Sequence, residues 1–172
     1  QSRVLEIACG SGGPALFMAG EVGCHVTGVD INENGVANAN RMATDRGLSD
    51  RARFQLADAG QVLPFGDGSF DSLVCIDSIN HFPDRPSVFR EWYRILKPGG
   101  RVLFADPIIV TGILTNEEMG IRSSIGFFLF VPTGENERLL SNAGFEVVST
   151  KDVTANEVLV SKRRYDAREN HR

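Results

Sequence analysis

The sequence predicts an α/β protein with a doubly wound, mostly parallel sheet and helices on both faces, in a three-layer α/β/α arrangement. Short apolar runs alternate with helix-forming stretches from residue 4 to residue 105, and this order is typical of parallel strands joined by right-handed crossovers. Three of the predicted strands end in an acid, at Asp30, Asp58 and Asp77. The carboxyl ends of parallel strands share one edge of a sheet, where open α/β folds bind ligands, so we expect these acids to lie there.

The first strand and the glycine turn after it organise the rest of the chain. Residues 4–8 form a short apolar run with one acid, Glu6, and Gly10, Gly12 and Gly13 follow at once. A helix is predicted from Pro14 to residues 20–23. Glycines let the backbone approach a ligand closely, and a helix N-terminus adds free N–H groups and partial positive charge. This order predicts a ligand-binding turn.

The remaining elements continue the alternation. Strands are predicted at residues 24–30, 53–58, 72–77, 101–105 and 145–150, and helices at residues 31–46, 86–96, 135–142 and 157–169. Residues 97–100, Lys-Pro-Gly-Gly, predict a tight turn in which Gly99 takes a positive φ. At the last helix, the alternation of Val158, Leu159 and Val160 leaves a returning antiparallel strand as the alternative.

Residues 107–132 depart from this rhythm. Thr115 and Glu118 have the spacing of a capping box and predict a short helix. The most aromatic part of the chain follows and includes Phe127, Phe128 and Phe130. These rings either pack over the sheet as ordinary core or line a substrate cavity. We interpret residues 1–172 as a single domain and residues 107–132 as its substrate lid.

Composition limits the classes of function. The 172 residues are 42% hydrophobic and 23% charged, with no apolar run near the roughly 20 residues that a membrane span needs. The net charge of -4 argues against a nucleic-acid partner. Cys9, Cys24 and Cys75 lie far apart, which favours neither a disulfide framework nor a metal site. A cytoplasmic protein with reduced thiols is predicted.

The glycine turn allows two interpretations. Its pattern matches G-x-G-x-x-G/A, and Asp30 follows Gly10 by 20 residues, as an NAD(P)-dependent oxidoreductase would require. Other features favour a different ligand. Glu6 lies inside the strand, where an ammonium group could use it, and Asp58 could accept a hydrogen bond from an adenine amino group.

Several motifs together resemble those of class I S-adenosylmethionine-dependent methyltransferases. They are Glu6-x-x-Cys9-Gly10-x-Gly12, Asp30, Asp58-Ala59 before Leu63-Pro64-Phe65, Phe70-Asp71 and Leu96-Lys97-Pro98-Gly99-Gly100. The best match is the small-molecule branch that includes quinone, sterol and amino-alcohol methylating enzymes. The resemblance implies a Rossmann-like fold, helices before the first strand and a seventh, antiparallel strand near the C-terminus. In this sequence no such helices come before the first strand, and the antiparallel strand is only the alternative to the predicted last helix, so we expect a chain truncated at one or both ends.

The resemblance implies S-adenosylmethionine as the cofactor and S-adenosylhomocysteine as its product. The backbone from Gly10 to Gly12 is expected to hold the methionine end of the cofactor, with Glu6 beside it. Ala8 belongs to the same turn and stands where many members carry a glycine.

The resemblance implies that the acids at the strand ends bind the nucleoside part of the cofactor. Asp30 is expected to bind both ribose hydroxyls, and Ile31 to pack on the adenine face. Asp58 and Ala59 are expected to contact the adenine amino group and ring, while Asp77 is a candidate for contacting cofactor or substrate. The alternative for each acid is a helix N-cap.

Methyl transfer requires the protein to align the reacting atoms and exclude water, and no metal site is predicted. His81, in the loop after the fourth strand, is the candidate general base, with Asp77 as a second catalytic candidate; alternatively, His81 packs against the next helix. His25 is predicted to be structural and His171 to lie in the C-terminal tail. The expected acceptor is a small molecule with an apolar part, methylated at N, O or C. A non-catalytic cofactor-binding module is the further alternative.

Overall fold

A five-stranded parallel sheet forms the centre of the computed structural model, which describes residues 2–107, 109–110, 113, 115–123 and 128–169. Its strands are β1 (Arg3–Ile7), β2 (His25–Asp30), β3 (Ala52–Leu56), β4 (Phe70–Ile76) and β5 (Leu96–Ala105). Their order is β3-β2-β1-β4-β5, and every neighbouring pair is parallel. The strand order reverses between β1 and β4, which is where this class of sheet binds ligands. The predicted fold is confirmed.

In the described residues, six α-helices accompany the strands. They are α1 (Gly13–Phe17), α2 (Glu33–Asp45), α3 (Arg85–Ile95), α4 (Asn116–Ser123), α5 (Glu135–Asn142) and α6 (Thr154–Glu169). The first continues as a π-helical turn over Met18–Val22 and ends at Gly23, whose φ is 79°. Because the last segment is helical, the alternative of an antiparallel strand at residues 158–160 is wrong. Among the described helices, none has the length and apolar character needed to cross a membrane.

The core divides into two clusters, one on each face of the sheet. Side chains alternate along β1, so Leu5 and Ile7 join the cluster that includes Trp92 of α3, while Val4 joins the cluster that includes Leu16 of α1. The central strand β1 is therefore buried on both faces, as its near-continuous apolar run requires.

The predicted strand at residues 145–150 is wrong, since this segment has no regular secondary structure. Phe145 packs edge-on against Tyr93 of α3, with ring centroids 5.3 Å apart, and its N–H donates to the Leu140 carbonyl at 3.0 Å. Val148 is 90% exposed. The segment therefore packs on α3 through Phe145, and β5 stays the last strand of the sheet in the described residues.

The predicted tight turn at residues 97–100 is a bulge within β5. Leu96 pairs with Phe70, and the next registered pair is Arg101 with Ser72, so four residues oppose a single residue of β4. Gly99 has a φ of 75°, as predicted. The bulge is fastened by an ion pair of 2.6 Å between the Lys97 ammonium and the Asp71 carboxylate.

The two ends of the 107–132 region lie together. β6 (Ile109–Val110) and β7 (Val131–Pro132) form a parallel two-stranded sheet. The capping box is confirmed, because the Thr115 N–H donates to the Glu118 carboxylate at 2.9 Å and the Glu118 N–H donates to the Thr115 hydroxyl at 3.2 Å. Phe128 and Phe130 are half-buried, whereas Phe127 and His171 lie outside the described residues.

Candidate functional site

The glycine turn after β1 and the end of β2 are joined by one carboxylate. Asp30 Oδ2 accepts a hydrogen bond from the Gly10 N–H at 2.7 Å, and its Oδ1 accepts from the Asn32 N–H at 2.8 Å. The N-cap of α2 is Asn32, whose side chain accepts from the Gly35 N–H, so Asp30 is not the helix cap. Each carboxylate oxygen keeps a lone pair, which leaves Asp30 able to accept two hydroxyl groups of a ligand.

Two residues other than glycine have a left-handed backbone at the ends of the two central strands. Ala8, which follows β1, and Asp77, which follows β4, each have a φ of 54°. This conformation is unfavourable for alanine and better tolerated by aspartate. Strain of this kind concentrates at ligand sites, and both residues flank the point where the strand order reverses.

Glu6 lies beneath the glycine turn and is 2% exposed. Its Oε2 accepts a hydrogen bond from the Ala15 N–H of α1 at 2.9 Å. Burial raises the pKa of the carboxyl to about 7; the Ala15 hydrogen bond opposes the rise, and the nearby Asp30 charge adds to it. No Lys or Arg of the described residues forms an ion pair with it. A cation at the turn would therefore meet a carboxyl that can still give up a proton.

Gly12 is required by packing as well as by its φ of 79°. A Cβ atom there would lie 2.7 Å from Cζ of Phe54, and one at Gly28 would lie 2.5 Å from Cδ1 of the same ring. Phe54 thus occupies the space beside both glycines. A Cβ atom at Gly13 would meet nothing within 4 Å, so the three glycines of the turn are not equivalent.

A pocket of about 960 Å³ opens along the carboxyl edge of the sheet. Of the predicted site residues, it is lined by Ala8, Asp30, Ile31, Asp58, Ala59 and His81. Glu6, Gly10, Gly12 and Asp77 are not among its lining residues. Asp58 precedes no helix, and its Oδ1 accepts from the Gly60 N–H at 2.8 Å. Residues from the ends of β1, β2 and β3 are thus brought to one cavity.

One wall of this pocket, supplied by α3, is not among the site residues predicted from sequence. That wall includes Ser87, Arg90, Glu91 and Arg94. The Arg94 guanidinium binds Glu91 at 2.5 Å and 2.8 Å and Asp67 at 2.7 Å. Residues three and four apart on a helix share a face, so the spacing of the four is a signal in the sequence. It does not indicate which way that face points.

His81 lines the pocket from the 3₁₀ turn Ile79–His81. Its ring centroid lies 4.8 Å from that of Phe128, and the Leu129 N–H donates to the Asn80 carbonyl at 2.8 Å. Residues 128–130 therefore lie over the loop that follows β4, and His81 both packs against them and faces the cavity.

The other histidine described by the structure lies elsewhere. His25 begins β2 and pairs in register with Arg3, at the opposite end of the sheet from the pocket. In the part of the chain that the structure describes, no group of three or more His, Cys, Asp or Glu residues is placed to hold a metal ion.

Comparison with known proteins agrees with this architecture. The 27-O-demethylrifamycin SV methyltransferase of Amycolatopsis mediterranei is 37% identical over 88% of this chain and 57% of its own length. Methyltransferase GfsG of Streptomyces halstedii is 44% identical over 88% of this chain and 55% of its own length. The chain thus spans about half the length of these relatives.

Solved structures share the fold and part of the sequence. Phosphoethanolamine N-methyltransferase 2 of Haemonchus contortus, in complex with S-adenosyl-L-methionine, matches with a TM-score of 0.88 and 28% identity over 98% of this chain and 39% of that one. The cyclase SpnF matches with a TM-score of 0.79 and 30% identity over 90% of this chain and 54% of that one. Residues 5–104 match the model of the methyltransferase domain. The chain therefore belongs to the methyltransferase domain family, which confirms the resemblance inferred from its motifs.

Proposed function

We propose that this domain binds S-adenosylmethionine at the carboxyl edge of the sheet and transfers its methyl group to an N, O or C atom of a small organic acceptor. The observation that carries the proposal is Asp30, whose two oxygens are fixed by the Gly10 and Asn32 N–H groups at the mouth of the pocket. The match to the methyltransferase domain supports this assignment over an NAD(P)-dependent oxidoreductase.

The pocket residues suit the nucleoside end of this cofactor. Asp30 would accept both ribose hydroxyls, because an ionised carboxylate only accepts hydrogen bonds and has about four sites for doing so. Ile31, an apolar side chain that is 71% exposed at the pocket, would pack on the adenine face. Asp58 and Ala59 follow β3 and line the same cavity, where they would contact the adenine amino group and ring.

The glycine turn suits the charged methionine end of S-adenosylmethionine. The bound cofactor would supply an activated methyl group on a sulfonium, together with an ammonium group. Glu6 would favour the positive charge from beneath the turn, and the backbone from Gly10 to Gly12, with Ala8, would hold the methionine portion. These residues bind and orient, which is most of what methyl transfer from a preactivated donor asks of a protein.

The acceptor side is built around His81. His81 lines the pocket and contacts Phe128, so it would either take a proton from an acceptor hydroxyl or orient an amine. Asp77 lies at the end of the neighbouring strand and is the second candidate. We propose that residues 107–132 of this single domain cover the acceptor and that Phe128 and Phe130 contact its apolar part.

The proposed setting follows from the same features. The thiols of Cys9, Cys24 and Cys75 are free, which supports a reducing, cytoplasmic compartment. The net charge of -4 supports a small-molecule partner rather than nucleic acid.

A second candidate is a domain that binds the cofactor and transfers no methyl group. One observation favours it: the structure of the cyclase SpnF shares 30% identity and the fold with this chain. The two candidates share the cofactor pocket and differ in the reaction at the acceptor side.

Calorimetric titration with S-adenosylmethionine, S-adenosylhomocysteine and NAD tests the cofactor. Binding of the first two with dissociation constants on the order of micromolar, and no binding of NAD, is expected. S-Adenosylhomocysteine formation is then measured with apolar amines and alcohols as acceptors. Binding without product would favour the second candidate, and binding of NAD alone would overturn both.

A variant of His81 tests the acceptor side. His81→Ala should lower turnover by about a hundredfold or more if the imidazole is the general base, and should leave cofactor affinity unchanged. His25→Ala, at the other end of the sheet, is the matched control. Equal turnover in the two variants would assign His81 to packing against Phe128.

A further inference from the structure

Three buried polar side chains from different parts of the chain form a hydrogen-bonded network beside the proposed acceptor side. Arg85, the first residue of α3, is 3% exposed, and Asn136 of α5 is 5% exposed. Nη1 of Arg85 donates to Asp106 Oδ2 at 2.5 Å and to Asn136 Oδ1 at 2.6 Å. Nδ2 of Asn136 donates to the same Asp106 oxygen at 3.0 Å. The network lies just beyond the end of β5, and Nε of Arg85 has no hydrogen-bond partner among the described residues.

This network also holds the aromatic segment. Nη2 of Arg85 donates to the Leu129 carbonyl at 3.1 Å, while the Leu129 N–H donates to the Asn80 carbonyl at 2.8 Å. Both backbone polar groups of Leu129 are therefore bound. The preceding residue, Phe128, carries the ring that contacts His81, so the position of that ring follows from the position of Leu129.

The buried ion pair between Arg85 and Asp106 is not explained by stability alone. Taking two charges out of water costs so much that an apolar pair of similar volume is often as stable or more stable. The planar guanidinium of Arg85 also has a specific geometry, because it donates hydrogen bonds to Asp106 and to the Leu129 carbonyl at the same time. A lysine at this position would be a single point charge and would lack that second, fixed donor.

We propose that Arg85 is a positioning residue that sets the shape of the acceptor side: through Leu129 it fixes Phe128 against His81. Arg85 itself is not among the residues that line the pocket. The inference rests on the proposed function in so far as His81 faces the acceptor, but the contact it explains can be measured without any acceptor.

Nuclear magnetic resonance of the whole chain tests the proposal, with the His81 and Phe128 ring signals as the readout. In the unsubstituted chain, cross-relaxation between the two rings is expected from their 4.8 Å separation. Arg85→Lys keeps the charge beside Asp106 and removes the donor to Leu129, so the cross-peak should be lost and the His81 signals should move. The control is Arg138→Lys, which changes the exposed Arg138–Glu135 pair of α5 and should leave the cross-peak intact.

A second variant keeps the test decisive if Arg85→Lys does not fold. Arg85→Met combined with Asp106→Leu and Asn136→Leu replaces all three polar side chains by apolar ones, so that no partner is left buried and unpaired, and here too the cross-peak should be lost. Retention of the cross-peak in Arg85→Lys or in the triple variant would overturn the proposal. So would its loss in Arg138→Lys.

S-Adenosylhomocysteine affinity separates this proposal from the proposed function. It should stay within about twofold in the Arg85→Lys variant, because Arg85 shares no partner with Asp30 or Glu6. Absence of S-adenosylhomocysteine binding in the unsubstituted chain would count against the proposed function and leave the Arg85 result to be judged by the ring signals. A cross-peak lost together with a large fall in affinity would overturn the positioning role, since it would indicate general loss of structure.

Discussion

The N–H of Gly10 lies 2.7 Å from Oδ2 of Asp30 and donates a hydrogen bond to it. The two residues are 20 apart in sequence but lie at the ends of neighbouring strands, since Ile7 of β1 pairs with Val29 of β2. The bond fixes the acid that a ribose would contact to the turn that a methionine group would contact. Both halves of the proposed cofactor site therefore depend on one carboxylate.

Asp30→Asn should weaken binding of S-adenosylmethionine about ten- to a hundredfold. The amide has only one oxygen, so it cannot accept from Gly10, Asn32 and two ribose hydroxyls, and hydrogen bonds to a charged group contribute about 1.5 to 3 kcal/mol. Calorimetric titration measures the change. Asp50→Asn is the matched control, because this acid lies in a separate cleft with Arg3 and His25. Equal affinities of the two variants would contradict the role assigned to Asp30.

Gly12→Ala should lower the free energy of unfolding by about 2 to 4 kcal/mol. The new methyl group would overlap the Phe54 ring, at 2.7 Å, and the alanine would occupy a φ of 79°. Overpacking costs about 1 to 3 kcal/mol, and a left-handed backbone costs about 1 to 2 kcal/mol. Denaturant unfolding measures this loss.

Gly13→Ala provides the comparison within the same turn. Its Cβ would have nothing within 4 Å, and alanine is favoured over glycine in a helix by about 1 kcal/mol. The free energy of unfolding should therefore stay the same or rise slightly. A similar loss in both variants would show that the packing of Phe54 is not the cause.

The placement of Asp30, Asp58 and Ala59 in one pocket could be predicted from sequence. These residues follow strands that the apolar runs identify, and parallel topology sends strand ends to one edge. The arrangement of Arg85, Asp106 and Asn136 could not, because no local pattern indicates that residues up to 51 positions apart share hydrogen bonds. Residues 145–150 show a related limit, since whether their apolar side chains join the sheet or pack on α3 depends on tertiary contacts.

The role of Gly12 was only half predictable. The glycine pattern predicts a turn after β1, and in the structure Gly12 has a φ of 79° there. Its contact with Phe54 of β3 depends on which side chain the neighbouring strands direct toward the turn. The left-handed conformation of Ala8 is likewise a property of the folded turn, because alanine carries no sequence signal for it.

Ala8→Gly should raise the free energy of unfolding by about 0.5 to 1 kcal/mol. Relief of the left-handed backbone at a φ of 54° gains about 1 to 2 kcal/mol, and the larger entropy of the unfolded glycine offsets about half of it. Ala43→Gly, in the regular helix α2, should instead lower the free energy of unfolding by about 1 to 2 kcal/mol, because it loses helix propensity and also a buried methyl group. Denaturant midpoints measure both changes in unfolding free energy. A loss of stability in Ala8→Gly similar to that in Ala43→Gly would contradict backbone strain at Ala8.

Glu6 should make the chain less stable as the pH rises toward neutrality. Its folded pKa of about 7 lies above the ordinary 4.5, so the native state holds a proton that the unfolded state has lost, and stability falls with pH in this window. The stabilisation that protonated Glu6 contributes to the folded state is complete below about pH 4.5 and is lost as the pH rises through 7. The shift in pKa is equivalent to about 3 kcal/mol of unfolding free energy. Unfolding is measured at pH 5 and pH 8 in the unsubstituted chain and in Glu6→Gln. The unsubstituted chain should lose unfolding free energy relative to Glu6→Gln between pH 5 and pH 8. A difference that is the same at both pH values would contradict the raised pKa of Glu6.

The same carboxyl should link cofactor binding to proton release. A cation above the turn favours the ionised form of Glu6 and lowers its pKa, so S-adenosylmethionine should bind more tightly at pH 8 than at pH 6. Near pH 7, where Glu6 is about half protonated, binding should release about half a proton. Calorimetric titration in buffers of different ionisation enthalpy measures this number. Glu6→Gln should bind without proton release, because its amide does not titrate, and release that persists in this variant would assign the proton to another group.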